Sequence, residues 1–558
     1  MPSRTFPVPG PRLSRIGVMA AIVLAVAWTL APGIAGDWGR DDYFQLAFMR
    51  LLDSPWALLF HDHFAPAPGS VFRPLGFASM WLGVQVFGVD YAAHACFDLA
   101  LHAAVALALF ALLRRLRIAA LPALLATLAF ALHPAAAGTA LWWSARFDLL
   151  ATLFVLLALN AACAYRDDGD RKALAAALFA ALAAMLSKEI GLVAIAAIVL
   201  AWAHWAIMQP TQRKRALGAS VLALLCAGIY FAWRAMVLGT PASGLTGALP
   251  LGSAIAKGLV DWLHQAPGYF SYWPRLGFVA RALAIAALAP IIFFATWRQR
   301  DGWRGDLVPL LCGACLIVLP ALLQAPVAAL NAQPLGIGES SVEAAMQSRL
   351  YYLGVAGGAL VLALLLDRAQ RARVGLRWPV LATVVACALI ALATATHRNA
   401  REFAQRSSQN ARVAHAAVAA VDALALPSTP CHVVFLGIEP APEWGVFVSM
   451  DGVVKALDAD LARVGRCWFH ANYPTWFFLL PTSIAASDAM PYVPLRLEGR
   501  ELPWLRIGTA TAAYLQSPGA IDADARARMR FLRWNGTRFD DVSADVVAGR
   551  VAADLRVP

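Results

Sequence analysis

Up to position 396 the chain is a succession of apolar runs separated by short polar connections. About 20 apolar residues are needed to cross roughly 30 Å of hydrocarbon. Runs of this kind lie near 16–35, 93–113, 118–134, 148–165, 173–187, 190–208, 216–236, 282–297, 307–325, 350–366 and 378–396, eleven expected spans. Two of them, 173–187 and 190–208, adjoin closely enough to be counted differently. The amphiphilic stretch Phe72–Gly88, which opens on Arg73-Pro74, is expected to lie in the interface or re-enter it rather than cross. After Thr396 no span is expected. There the pattern shortens to strand-like runs such as Cys431–Leu436 and helical stretches such as Asp451–Val464, as in a folded α/β domain. The expected fold is a polytopic α-helical membrane protein. A transmembrane domain covers 1–396, with a first outer loop at 36–92, and a soluble C-terminal α/β domain covers 397–558.

Composition supports this division. Hydrophobic residues make up 60% of the 558 positions and charged residues only 14%, against about 25% charged in soluble proteins. So few charges cannot clothe a water-soluble body of this size, because surface-to-volume scaling limits how much apolar material one core hides. Lipid must take the excess.

The net charge of +12 would raise nucleic acid in a soluble chain, but its distribution answers differently. Nineteen Lys and Arg gather in alternate connections, from Arg4, Arg12 and Arg15 through Arg114, Arg115 and Arg117 to Arg368, Arg371, Arg373 and Arg377. The other connections up to 396 hold ten. Short loops rich in Lys and Arg stay cytoplasmic, so the N-terminus is expected inside and the C-terminal domain outside. Residues 1–396 hold 29 basic and 18 acidic side chains, whereas 397–558 hold 17 and 16. Most of the excess is inner-loop charge, and no nucleic-acid partner is expected. Ala-rich helices and a preference for Arg over Lys suit a bacterium, which makes the inner membrane and periplasm the expected location. Gly33-Ile34-Ala35 resembles a signal-peptide cleavage site, but Pro32 and the length of the run argue for retention, and either outcome leaves Asp37 onward outside.

Ionisable groups near membrane segments are costly and default to function, and almost all of them here fall at outer ends. Asp41 and Asp42 are adjacent carboxylates just beyond the first helix. Repulsion between them favours a retained proton or a bound cation, and either suits a general base. The alternative is Asp41 as a helix N-cap with Asp42 in the first turn. In the same loop, His61-Asp62-His63 lacks a third metal ligand at a recognisable spacing and reads as a solvated segment that can help line a cleft. Arg73, His94, His102, His133, Arg146, Asp148, Lys188, Glu189, Arg234 and Arg349 complete the outer set. Each alone can snorkel or pair structurally. Together they suggest an outward polar cavity able to hold a phosphate. Cys312 and Cys315 have C-x-x-C spacing inside an apolar helix and read as packing residues. Cys431 and Cys467 lie in the outer domain, where they can pair or remain buried thiols.

The order of these residues resembles a known family. Asp41-Asp42, Phe72-Arg73-Pro74-Leu75, Gly88, His94 and Leu101-His102 are similar to the first block of the transmembrane O-mannosyltransferase-like proteins that carry tetratricopeptide repeats. His133-Pro134 with Ser144-Ala145-Arg146-Phe147-Asp148-Leu149-Leu150 resembles that family's HP and GRADLL stretch. Ser187-Lys188-Glu189, Tyr230 with Arg234, and Arg349-Leu350-Tyr351-Tyr352 resemble its later elements. The likeness runs over roughly 36–355. It departs at Asp98, where the family has Asn, at Gln347-Ser348, which stand in place of a Glu, and in the absence of a 34-residue repeat.

Such proteins belong to the GT-C class of membrane glycosyltransferases. The resemblance implies an inverting transfer from a polyprenyl-phosphate-linked sugar to an acceptor hydroxyl on a glycan, lipid or protein at the outer face of the bilayer. It implies that Asp42, or Asp41, meets the acceptor nucleophile or an associated divalent metal. A donor-phosphate site is expected among Arg146, Lys188, Arg234 and Arg349, with Arg73 and His133 behind them. His61, His63, His94, His102, Glu189 and Tyr351 are expected to line it. The alternatives are a transporter or flippase with an outer cavity, and a non-catalytic scaffold of the same fold.

Overall fold

The computed structural model describes residues 15–39, 42–52, 54–60, 71–239, 256, 303–330, 349–371, 377–426, 431–438, 450–465, 467–471, 492–497, 500–508 and 529–547. Asp41, His61, His63 and the expected span at 282–297 lie outside them.

Helix α1 (Arg15–Leu30) continues into a 3-10 turn, Ala31–Ala35. After it come α2 (Asp42–Leu51), a 3-10 helix (Pro55–Leu59) and α3 (Pro74–Phe87). At about 1.5 Å per residue, the 14-residue α3 reaches only some 21 Å, too short to cross. Then follow α4 (Tyr91–Arg115), α5 (Ala120–Ala131), α6 (Ala135–Ala140), α7 (Arg146–Asp168), α8 (Arg171–Ser187), α9 (Leu192–Met208) and α10 (Arg213–Leu238). The last long helices are α11 (Trp303–Leu330), α12 (Tyr352–Arg371) and α13 (Arg377–Asp422).

Among the described residues, six helical segments are long and apolar enough to cross a membrane: Ile16–Ala35, Tyr91–Arg115, Trp143–Asp168, Glu189–Met208, Pro210–Leu238 and Arg349–Arg371. Among the expected eleven, the run at 118–134 yields only the 12 helical residues of α5. Its end is broken at His133-Pro134, where the proline ring does not allow the helix to run on unchanged. Helix α11, 28 residues long, runs through the expected span at 307–325.

Local chemistry sets the helix ends. Asp90 caps α4 by accepting from the Ala92 and Ala93 amides at 2.9 and 3.3 Å, and Asp170 caps α8 through Lys172 N at 2.9 Å. Gly169 ends α7 at φ +75°, a conformation that favours glycine. Gly191 lets the turn after α8 press on that helix, because a Cβ there would lie 2.2 Å from the Ala184 carbonyl carbon.

The C-terminal part has two sheets. Parallel β1 (Cys431–Leu436), β2 (Cys467–Ala471) and β5 (Met529–Trp534), with antiparallel β6 (Phe539–Asp541), form one in the order β2-β1-β5-β6. Strands β3 (Tyr492–Leu497) and β4 (Arg500–Gly508) pair separately. Helix α14 (Met450–Leu457) and the turn Leu461–Val464 cross between β1 and β2. Cys431 and Cys467, opposite each other in register, are joined by a disulfide. Within α14, Asp451 and Lys455 form a fully buried ion pair at 2.9 Å, and Asp451 also accepts from Phe469 N of β2 at 3.1 Å. Burial holds the Lys455 amine below its ordinary pKa, partly offset by Asp451.

Candidate active site

The segment Trp142–Asp148, at the start of α7, organises the buried polar groups around it. Its residues reach in turn to separate partners. Ser144 donates from both its amide and its hydroxyl to one oxygen of Asp42, at 2.9 and 2.7 Å. The other Asp42 oxygen accepts from Gly39 N at 3.2 Å, while Asp42 N donates back to Gly39 O at 2.9 Å. Asp42 is therefore a fully buried anchor for the start of α2.

On the other flank of the same segment, Asp148 holds Lys188 Nζ at 2.6 Å. Phe147 lies under the Arg73 guanidinium, 5.4 Å from ring centroid to Cζ, and Trp142 lies under Arg349 at 3.6 Å. Glu189 accepts from Arg73 at 2.8 Å and pairs with Arg234 at 3.4 Å, and Arg234 also meets the Tyr230 hydroxyl at 3.3 Å. Lys188 feels the charges of Arg73 and Arg349 as well as Asp148. Arg73, Lys188, Arg234 and Arg349 thus converge with Asp148 and Glu189 into one cluster built from five chain segments. Four cations against two carboxylates leave two net positive charges among the described residues, in surroundings where Lys188 and Arg234 are almost wholly enclosed. Low dielectric and fixed geometry make such charges effective on an anion.

Arg146 corrects the sequence expectation. It does not join the cluster: its Nε donates to Asp98 at 2.6 Å, one terminal nitrogen reaches Ser79 O at 3.3 Å, and the side chain is fully buried. His94 approaches its other terminal nitrogen at 3.4 Å and Gly88 O at 3.1 Å. That pattern places the ring proton on Nε2 and leaves Nδ1 to accept. His102 is likewise a buried structural group, between Ala131 O at 3.1 Å and the Tyr352 hydroxyl at 2.6 Å. His94 and His102 do not line the cluster. The Nδ1 atom of His133 accepts from Ala135 N at 3.2 Å, and Tyr351 is buried in the turn Arg349–Tyr351.

For a divalent metal, Asp42 is a poor fit, since both of its oxygens already accept from backbone or hydroxyl donors. Among the described residues no group of three or more His, Cys, Asp and Glu side chains converges.

The start of this loop is held from the C-terminal side. Ser407 Oγ, on α13, accepts from Asp37 N at 2.9 Å, and His415 Nε2 lies 3.9 Å from the Asp37 carboxylate. Hydrogen bonding to Asp37 raises the His415 pKa above 6.5, against a smaller opposing effect of burial. A raised pKa means that the contact is fully present below about 6.5 and is lost as pH rises through the folded value. Amide exchange at Asp37 and Trp38, corrected for intrinsic rates, is therefore expected to quicken as pH rises above about 6.5. His415→Asn removes that dependence. Exchange that is flat with pH in the wild type contradicts the assignment.

No protein-family model matches the chain, and no curated protein matches it. Solved structures do. ArnT from Cupriavidus metallidurans, bound to undecaprenyl phosphate, is 15% identical, with a TM-score of 0.43 over 80% of this chain and 85% of its own. The Archaeoglobus fulgidus oligosaccharyltransferase tethered to an acceptor peptide is 13% identical, with a TM-score of 0.45 over 81% of this chain and 65% of its own. AglB from the same organism, with an inhibitory peptide and dolichol phosphate, is also 13% identical, at a TM-score of 0.43.

Proposed function

We propose that the chain is a membrane glycosyltransferase that moves a sugar from a polyprenyl-phosphate donor to an acceptor hydroxyl at the outer face of the bilayer. The observation that carries this reading is the enclosed cluster of Arg73, Lys188, Arg234 and Arg349 at the ends of apolar helices. Its two net positive charges among the described residues match the dianion that a departing phosphate monoester becomes, and the neighbouring apolar helices suit a polyprenyl tail. A multi-pass membrane domain, a cytoplasmic N-terminus and a periplasmic C-terminal domain complete the proposed topology.

The acceptor oxygen attacks the anomeric carbon as the carbon–oxygen bond to phosphate breaks, and the phosphate keeps the electron pair. The acceptor proton passes to a carboxylate of the first outer loop. With both Asp42 oxygens already accepting, Asp42 serves to fix the loop and Asp41 is the proposed base. Lys188, Arg234, Arg349 and Arg73 stabilise the departing charge.

Purified protein given a panel of undecaprenyl-phosphate sugars is expected to consume one of them. Asp41→Asn is expected to slow it by about 10²- to 10⁴-fold, the usual range for a lost acid-base group, at unchanged donor affinity. Donor binding without consumption of any sugar contradicts the enzyme and favours a carrier or scaffold.

A further inference from the structure

Resting on that reading, we infer that the C-terminal domain is part of the catalytic unit, and that Arg50 is the positioning residue through which it holds the acidic loop. Arg50 ends α2, the helix that begins at Asp42. Its Nη1 donates to three carbonyls at the end of α14, Lys455 O at 3.1 Å, Ala456 O at 2.7 Å and Asp458 O at 2.8 Å. The last carbonyls of a helix have no intrahelical donor, and a cation suits the negative end of the helix dipole. One side chain from the first outer loop thus caps a helix some 400 residues away in sequence.

The contact is close along the length of α2. At Gly452 an added Cβ would lie 3.0 Å from the Phe44 backbone, so any side chain there would push the two helices apart by a few tenths of an ångström. Helix α14 is itself anchored to β2 by Asp451, which also holds Lys455, and β2 is tied to β1 by the disulfide. What presses on α2 is therefore a braced unit. At the other end of the same stretch, Ser407 and His415 of α13 hold Asp37. Asp37 and Arg50 are thus both held by C-terminal elements, while Ser144 ties Asp42 to the membrane domain. Displacing a reacting group by about 1 Å can cost on the order of 100-fold in rate. A base on this stretch depends on the bracket, whereas the cations of the donor cluster, on other segments, do not.

The test uses full-length protein in nanodiscs. Arg50→Met and, independently, Gly452→Val are expected to lower kcat about 10- to 100-fold with KM for the undecaprenyl-phosphate sugar within about twofold. Arg50→Lys, which keeps the donor and the charge, recovers part of the loss. Amide exchange in 42–51 rises in Arg50→Met while that of 95–110 stays as in the wild type. A wild type that turns over, with both variants within twofold of it and exchange in 42–51 unaltered, overturns the inference. So does a rise in KM with kcat unchanged. Should the wild type consume no sugar, the proposed function fails and the exchange measurement alone decides the bracket: raised exchange supports it, unaltered exchange overturns it.

Discussion

Replacing Lys188 by Met is expected to lower turnover of a polyprenyl-phosphate sugar by about 10²- to 10³-fold, the usual consequence of removing one fixed electrostatic stabiliser from an enclosed site. Two effects are folded into that number. Lys188 neutralises charge on a leaving phosphate in the proposed mechanism, and it also neutralises Asp148, a buried carboxylate 2.6 Å away. Losing the amine leaves that carboxylate uncompensated, which typically costs about 3–5 kcal/mol of stability. The double variant Lys188→Met with Asp148→Asn separates them. It removes the orphaned charge, so folding and yield are expected to recover, while turnover stays low because the phosphate still lacks its cation. Wild-type turnover in the double variant would show that Lys188 serves only Asp148, and the cluster would lose its place in the mechanism. Donor binding, followed with radiolabelled undecaprenyl-phosphate sugar, should weaken less than kcat, since the leaving group gains charge only as the bond breaks.

Much of this cluster was legible in the sequence, for a physical reason. Charges at the ends of apolar runs are conspicuous because lipid excludes them from the middle. Arg73, Lys188, Glu189, Arg234 and Arg349 could be picked out one by one, and all five converge in space. What the sequence could not say is which charge neutralises which. Arg146 stood in the same motif as Asp148 and looked equally available, yet its partner is Asp98, 48 residues earlier on α4. Ser144 lies within that motif, but a serine carries no charge to mark it, so its grip on Asp42 is visible only once α2 and α7 are placed together.

The same limit explains what could be read of the fold. Period and length expose the long helices and the strand Cys431–Leu436, because apolar patterning is a local property. At 118–134 the helix that forms, Ala120–Ala131, is shorter than the apolar run, which ends on Pro134. Period and length are silent on Arg50, whose acceptors are carbonyls, which every residue has. Contacts to backbone leave no mark in the partner's sequence.

The pair Asp98–Arg146 carries the second large expectation. Asp98 puts a buried carboxyl beside a buried arginine, 2.6 Å from its Nε. The guanidinium is enclosed by Trp143 and Phe97 at 5.6 and 4.9 Å, with His94 and Ser79 O at its terminal nitrogens. At Gly83 a Cβ would come within 2.9 Å of Nη1, so that flank of the guanidinium is closely packed. Asp98→Leu is therefore expected to destabilise the protein by about 3–5 kcal/mol, the cost of a buried cation stripped of its partner. Adding Arg146→Met should recover most of that loss, because two apolar side chains leave no charge to solvate. Unfolding by detergent titration, with the two single variants and the double compared as a cycle, gives the coupling directly. Additive losses would mean that the two residues act independently. Recovery of stability without recovery of turnover would place Arg146 where its position beside Ser144 suggests, as the brace that keeps the 142–148 segment in register between the acidic loop and the cation cluster.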